Sequence, residues 1–189
     1  MSKKIVITGG LGYIGTELCK IYSGISWNNE ILVIDNRFIS ERVNQLRNWG
    51  IDFVHGDILD KDLINKCCKN ANIVHHLAGI TDVPRVKSDS NVDKDTKIKL
   101  VAEEGTQNVL DAISNECKII FPSTHVVFEG IEQVKNDILE DEITKPILSY
   151  ANSKATNEKQ LKNSGKNYII LRLGSVYGFS TDTARIDII

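Results

Sequence analysis

Thr8-Gly9-Gly10-Leu11-Gly12-Tyr13-Ile14-Gly15 follows directly on the apolar run Lys4 to Thr8 and opens a segment of helical spacing, Gly12 to Tyr22. Strand, glycine turn and helix, in that order, put backbone rather than side chain at the turn. Glycine permits the tight bend, lets the main chain approach an anion closely, and leaves the helix N-terminus with its free N–H groups behind it. The stretch predicts a phosphate-binding turn formed by Gly9, Gly12, Tyr13, Ile14 and Gly15. The glycines are spaced GxxGxxG rather than the commoner GxGxxG of dinucleotide sites, and a purely structural turn is the alternative reading.

Outward from the turn, β-branched runs recur at Glu30 to Ile34, Asp52 to His55, Ile73 to His76, Lys118 to Phe121 and Tyr168 to Arg172, each bounded by Gly, Asp, Asn or Pro. With the first run they make six predicted strands. Helical spacing falls between most of them, at Gly12 to Tyr22, Asp60 to Lys69, Asp93 to Ser114 and Ser149 to Asn163. Alternating strands and helices require crossovers, and crossovers give a parallel sheet covered on both faces. The strands are apolar almost throughout (IVIT, ILVI, YIILRL), as strands buried on both faces are. The pattern predicts a doubly wound parallel α/β sheet with at least six strands. Glu129 to Lys145 is the longest irregular stretch and is expected to be the most flexible loop.

At 41% hydrophobic and 25% charged, the 189 residues have the composition of one soluble domain. The net charge of −2, with both signs mixed along the chain, leaves no basic footprint for nucleic acid. The first apolar run is too short for a signal peptide and no stretch reaches the ~18 residues of a membrane span, so a cytoplasmic protein without a membrane partner is expected. Cys19, Cys67, Cys68 and Cys117 lack zinc-type spacing and read as buried hydrophobes or surface thiols. His75 and His76, adjacent on a strand, point to opposite faces and make a poor metal pair. No metal site is expected.

Asp35 closes the second strand twenty residues after Gly15. An acidic side chain there accepts hydrogen bonds from the adenosine ribose of NAD and repels a 2′-phosphate, so NAD is favoured over NADP, with Arg37 softening the preference. Asp57, after the third strand, is a second candidate, for the adenine amino group; otherwise it is a helix cap. The sharpest signal is Tyr150-Ala151-Asn152-Ser153-Lys154. Residues four apart on a helix share a face, with Cβ atoms ~5 to 6 Å apart, so the Lys154 ammonium can sit near the phenol of Tyr150. A free phenol is only ~0.1% ionised at pH 7, and a nearby cation lowers its pKa by ~1 to 3 units, which makes the tyrosine a usable base.

These motifs together resemble the extended short-chain dehydrogenase/reductases, and within them the NAD-dependent epimerase/dehydratase group, whose members act mostly on nucleotide sugars. TGGLGYIG resembles the group's cofactor turn, His76-Leu77-Ala78-Gly79 its segment after the fourth strand, Gly105-Thr106 its central-helix pair, YANSK its active-site motif, and Arg172-Leu173 through Tyr177-Gly178 its stretch after the sixth strand. The resemblance implies a Rossmann-like NAD-binding domain over residues 1–189 and an epimerase of the UDP-glucose 4-epimerase kind. Asn36, Ile58, Leu77, Ala78 and Gly79 would join Asp35 and Asp57 along the cofactor. Thr124 would bond the reacting sugar oxygen, Tyr150 would remove its proton, and Lys154 would hold the nicotinamide ribose. Ser123 and Ser175 would line the substrate side.

Three departures qualify that expectation. Dehydratases of the group carry an Asp-Glu pair after the hydroxyl residue, where this chain has His125 and Val126; this disfavours water elimination and leaves His125 as either an extra acid/base or plain lining. Ala102 and Ser175 stand where asparagines are usual. The smaller C-terminal lobe that grips the nucleotide sugar is expected to be largely absent, the chain ending at Arg185 to Ile189, so the chain would hold NAD with little turnover. The resemblance also implies a homodimer formed through the 93–114 and 149–163 helices. A dissociable-cofactor reductase and a non-catalytic NAD-binding protein are the other readings.

Overall fold

The computed structural model describes residues 2–25, 28–81, 92–132 and 136–178. The elements run β1 (Lys4–Thr8), α1 (Tyr13–Ser23), β2 (Glu30–Asp35), α2 (Ser40–Asn48), β3 (Asp52–His55), α3 (Lys61–Cys68), β4 (Ile73–His76), α4 (Val92–Ala112), β5 (Lys118–Thr124), a 3₁₀ turn (His125–Phe128), α5 (Ser149–Asn163) and β6 (Asn167–Leu173). All strand pairs are parallel, in the order β3-β2-β1-β4-β5-β6. The chain steps one way from β1 to β3 and the other way from β4 to β6. The C-terminal ends of β1 and β4 therefore flank the reversal, where a doubly wound sheet opens a crevice.

Alternation along the strands supplies two cores. Ile5, Ile7 and Val33 face α1 and α2 with Cys19, Val43 and Leu46, while Val6, Ile34, Val74, Ile119 and Phe121 face α3, α4 and α5 with Ile64, Cys68, Val109 and Leu161. The central strands thus bury both faces, which is why their sequences are continuously apolar, whereas the edge strands β3 and β6 stay partly exposed.

The helix over Ser40–Asn48 is absent from the periodicity reading, and its composition explains this. Its buried positions are Arg42, Val43 and Leu46, so two apolar residues are all the stripe it has. By contrast, α3 announces itself with Asp60, whose side chain accepts the N–H of Leu63 as an N-cap. β5 also runs three residues past the expected end. It pairs with β4 only through Ile120, then follows β6 to Thr124. Pro122, which has no N–H to give, falls where β5 has already left β4, on a one-sided stretch that tolerates it.

The irregular stretch 129–145 is closed at its neck: Gly130 N–H donates to the Lys145 carbonyl at 2.8 Å and Lys145 N–H to that of Val127 at 2.8 Å. Residues 133–135 of that stretch, and the apolar end from Arg185, lie outside the described residues. Among the described residues no helix is long and apolar enough to cross a membrane, and no group of three or more metal-binding side chains is found.

Candidate functional site

A cleft of about 1240 Å³ opens over the C-terminal ends of the strands. Its floor begins at the glycine turn. Gly9 has φ +70°, donates its N–H to the Ile34 carbonyl at 2.7 Å, and comes so near the next crossover that a Cβ would lie 2.7 Å from Ala78 N. Gly15 is packed as tightly: a Cβ there would lie 2.6 Å from the Gly9 carbonyl oxygen. Gly12 is the N-cap of α1 and brings no capping side chain, and the first turn holds no acidic residue. The positive end of the helix is thereby left to the cleft, lined by Gly12, Tyr13, Ile14 and Gly15. The Tyr13 hydroxyl reaches across to donate to the Gly178 carbonyl at 2.6 Å.

At one end of the cleft stand Asp35, Asn36 and Asp57. Asp35 is 5% exposed. Its Oδ2 accepts the N–H of Leu11 at 3.0 Å and its Oδ1 that of Arg37 at 3.0 Å. The Asn36 amide donates to Asp57 Oδ2 at 3.1 Å, and Leu59 N–H to Asp57 Oδ1 at 3.0 Å. Asn108 on α4 fastens this corner, donating to the carbonyls of Ile58 at 3.0 Å and Leu59 at 3.3 Å. On the far side of the glycine turn, buried Arg42 donates to the Leu11 carbonyl. Arg42 and Asn108 are supports that no short motif announces, because each reaches an element distant in sequence.

At the other end stand Thr124, Tyr150 and Lys154. Thr124 N-caps the 3₁₀ turn, its Oγ1 accepting the N–H of Val126 at 3.2 Å. Lys154 Nζ donates to the Pro122 carbonyl at 2.8 Å, lies 4.5 Å from the Phe121 ring centroid and 5.9 Å from that of Tyr150. Burial pushes the Lys154 ammonium down to about 8. Four residues on along α5, Glu158 takes the Ser123 hydroxyl at 2.6 Å and a two-pronged contact from Arg172, at 3.0 Å from Nε and 2.7 Å from its terminal nitrogen. Burial acts to raise the Glu158 carboxyl, but hydrogen bonds from Arg172 and Ser123, with the charges of Arg172 and Lys162, outweigh it and hold the group below the usual range. Helix α5 is thus fastened to β5 at two successive residues, Pro122 by its carbonyl and Ser123 by its side chain.

Under the floor a polar chain crosses the core. His76 bonds Thr8 Oγ1 at 2.8 Å and Thr106 Oγ1 at 3.0 Å, and Thr106 also accepts from Asn157 at 3.0 Å. Burial, and secondarily the charge of Lys154, pushes His76 down to about 3, so its imidazole is neutral. His75 faces the opposite side and meets the Tyr22 hydroxyl at 2.7 Å. The four cysteines are buried, and burial pushes Cys19 and Cys68 up to about 12.

The residues expected from sequence to bind cofactor or substrate, with Leu77, Ala78, Gly79, Ser123 and Ser175 among them, line this one cleft. Ser123 nevertheless commits its hydroxyl proton to Glu158. His125 turns aside, its Nδ1 3.2 Å from the Leu173 carbonyl. Lining that the sequence reading does not name comes from α4, through Lys97, Leu100 and Val101, and from the strand ends.

The chain matches the 3-beta hydroxysteroid dehydrogenase/isomerase family over residues 6–181. It is 32% identical over 152 residues to the CDP-paratose 2-epimerase of Salmonella typhi, a match covering 75% of this chain and 42% of that protein. It also resembles the UDP-glucose 4-epimerase of Brucella ovis, solved with NAD (TM-score 0.71, 27% identity, 90% of this chain and 51% of the other). A third likeness is to the UDP-N-acetylglucosamine 4-epimerase of Methanobrevibacter ruminantium M1, solved with UDP-N-acetylmuramic acid (TM-score 0.79, 27% identity, 96% and 57%). The chain spans about half the length of these relatives. Fold, strand order and a family match over nearly the whole chain agree: the chain belongs to the 3-beta hydroxysteroid dehydrogenase/isomerase family, among the NAD-dependent epimerases and dehydratases.

Proposed function

We infer that this chain is the cofactor-binding part of an NAD-dependent nucleotide-sugar epimerase of the UDP-glucose 4-epimerase kind, with Tyr150 as its base. The observation that carries the reading is the meeting of Thr124, Tyr150 and Lys154 in the same cleft as the glycine turn and Asp35. The residues fit a dinucleotide. The α1 N-terminus offers free backbone N–H groups for a pyrophosphate, and among the described residues nothing lies within 4 Å of where a Cβ on Gly79 would stand.

Bound NAD supplies a hydride acceptor beside the sugar carbon. Tyr150 takes the proton of the sugar hydroxyl, and Thr124, whose Oγ1 accepts from Val126, directs its own proton at the same sugar oxygen. Lys154 carries a positive charge on the face of Tyr150 and favours its deprotonated form. An inverting turnover would need the oxidised sugar carbon to be re-reduced from its other face, and Tyr150 would then hand its proton back to the sugar oxygen. Lys154 is buried against the Phe121 ring, which strengthens the effect of its charge. A homodimer through α4 and α5, and a substrate-gripping lobe beyond the described fold, belong to the same reading.

The matched family's description, a dehydrogenase and isomerase, favours a second reading: a reductase that exchanges its cofactor each cycle. The nucleotide released on denaturing the purified protein, identified by mass spectrometry, separates the two. Nucleotide recovered near one per chain supports the epimerase, which regenerates its cofactor in place, and a chain purified empty that takes up NAD on titration supports the reductase. Replacing Tyr150 with Phe in the full-length protein is expected to lower turnover by roughly 10²-fold or more with cofactor binding retained. Unchanged turnover would remove Tyr150 from the chemistry.

A further inference from the structure

Asp35 does not face the cleft bare. Besides the N–H groups of Leu11 and Arg37, its carboxylate receives the guanidinium of Arg37, Nε at 3.2 Å from Oδ1 and a terminal nitrogen at 3.3 Å from Oδ2. The Arg37 side chain is 45% exposed against 3% for Asp35 and lines the cleft. A terminal nitrogen of Arg37 stands 3.6 Å from where a Cβ on Gly12 would be, so the guanidinium lies between the acid and the glycine turn.

We propose that Arg37 opens the adenosine end of the cleft to a 2′-phosphorylated dinucleotide, NADP, as well as to NAD; this rests on the cleft being a dinucleotide site. An unpaired carboxylate at the end of β2 would meet a phosphate of charge near −2 with repulsion. Here the charge of Asp35 is already paired with Arg37. Arg37 also has the planar fork that grips phosphate through two parallel bonds.

The pairing is reversible at low cost. When the guanidinium turns to a 2′-phosphate, each oxygen of Asp35 keeps one backbone donor, Leu11 N–H on Oδ2 and Arg37 N–H on Oδ1, so no carboxylate is stranded. When NAD binds, the guanidinium remains on Asp35 and the ribose hydroxyls meet the pair. A single side-chain rotation therefore serves two cofactors.

Calorimetric titration of the chain with NAD⁺ and separately with NADP⁺ tests this, alongside Arg37→Ala and Arg37→Gln. The expected result is NADP⁺ binding within about tenfold of NAD⁺ in the natural chain. In both variants NADP⁺ affinity should fall by at least about tenfold more than NAD⁺ affinity. NADP⁺ binding more than about tenfold weaker than NAD⁺ in the natural chain, or variants that weaken both nucleotides alike, overturn the role given to Arg37 while leaving the dinucleotide site standing. Binding of neither nucleotide removes the site itself, and the proposal with it.

Discussion

One methyl group at Gly9 would collide with the backbone of Leu77 and Ala78, just past the end of β4. The position combines φ +70° with a Cβ site 2.7 Å from Ala78 N and 2.8 Å from its Cα, and backbone atoms cannot step aside as a flexible side chain can. Gly9→Ala is expected to destabilise the fold by about 1 to 3 kcal/mol, read from the denaturant midpoint, and to weaken cofactor binding at the same time. Lys154 carries a different kind of strain. Its ammonium, pushed down by burial to about 8, loses its proton in the folded protein as pH rises through 8, whereas the unfolded chain holds it to 10.5. The unfolded state binds more protons over that window, so this group adds stability as pH climbs from 8 toward 10.5. Any turnover that needs the cation falls over the same range. A rate profile that stays level to pH 10 would show that the cation is not needed.

Elements differ in how openly their sequences declare them. β1, the glycine turn and α1 are legible together because one local run carries the strand, the turn residues and the helical stripe. YANSK is legible because helix geometry fixes what lies four residues away. Helix α2 is hidden by its buried arginine, and the extension of β5 by a proline that ordinarily argues against a strand. The fastening of α5 to β5 is also illegible: Ser123, Glu158 and Arg172 become partners only once three elements have docked, and a serine beside Thr124 reads naturally as substrate lining. The hydrogen bonds assign Ser123 to Glu158 instead, and the two roles predict different outcomes. Ser123→Ala is expected to lower stability by about 1 kcal/mol. Glu158→Ala, which strands Arg172 and Ser123 together, is expected to cost about 3 to 5 kcal/mol. Loss of activity in Ser123→Ala with an unchanged melting curve would return that side chain to the substrate.

Across the whole molecule, the two strand histidines make the fold sensitive to mild acid. Burial holds His75 near 4 and His76 near 3, both from an ordinary 6.5, so both are neutral when folded. Below 6.5 the unfolded chain takes up protons that the folded chain refuses. The stability these residues contribute is therefore complete above 6.5 and drains away as pH falls toward 3. The denaturant midpoint is expected to drop between pH 7.5 and 5, where ordinary carboxylates do not yet titrate, and to drop less in a His76→Gln variant. An equal drop in that variant would assign the acid sensitivity elsewhere.

The sheet reversal, the two cores and the family match all converge on a single cleft, and the central claim is that NAD occupies it. Gly79 gives the most direct test, since among the described residues nothing lies within 4 Å of where a Cβ would stand. NAD⁺ titrated into the natural chain and into Gly79→Leu is predicted to bind the first near one per chain and to fail with the second, with the two melting curves superimposed. Equal binding by both, or none by the natural chain, would contradict the account.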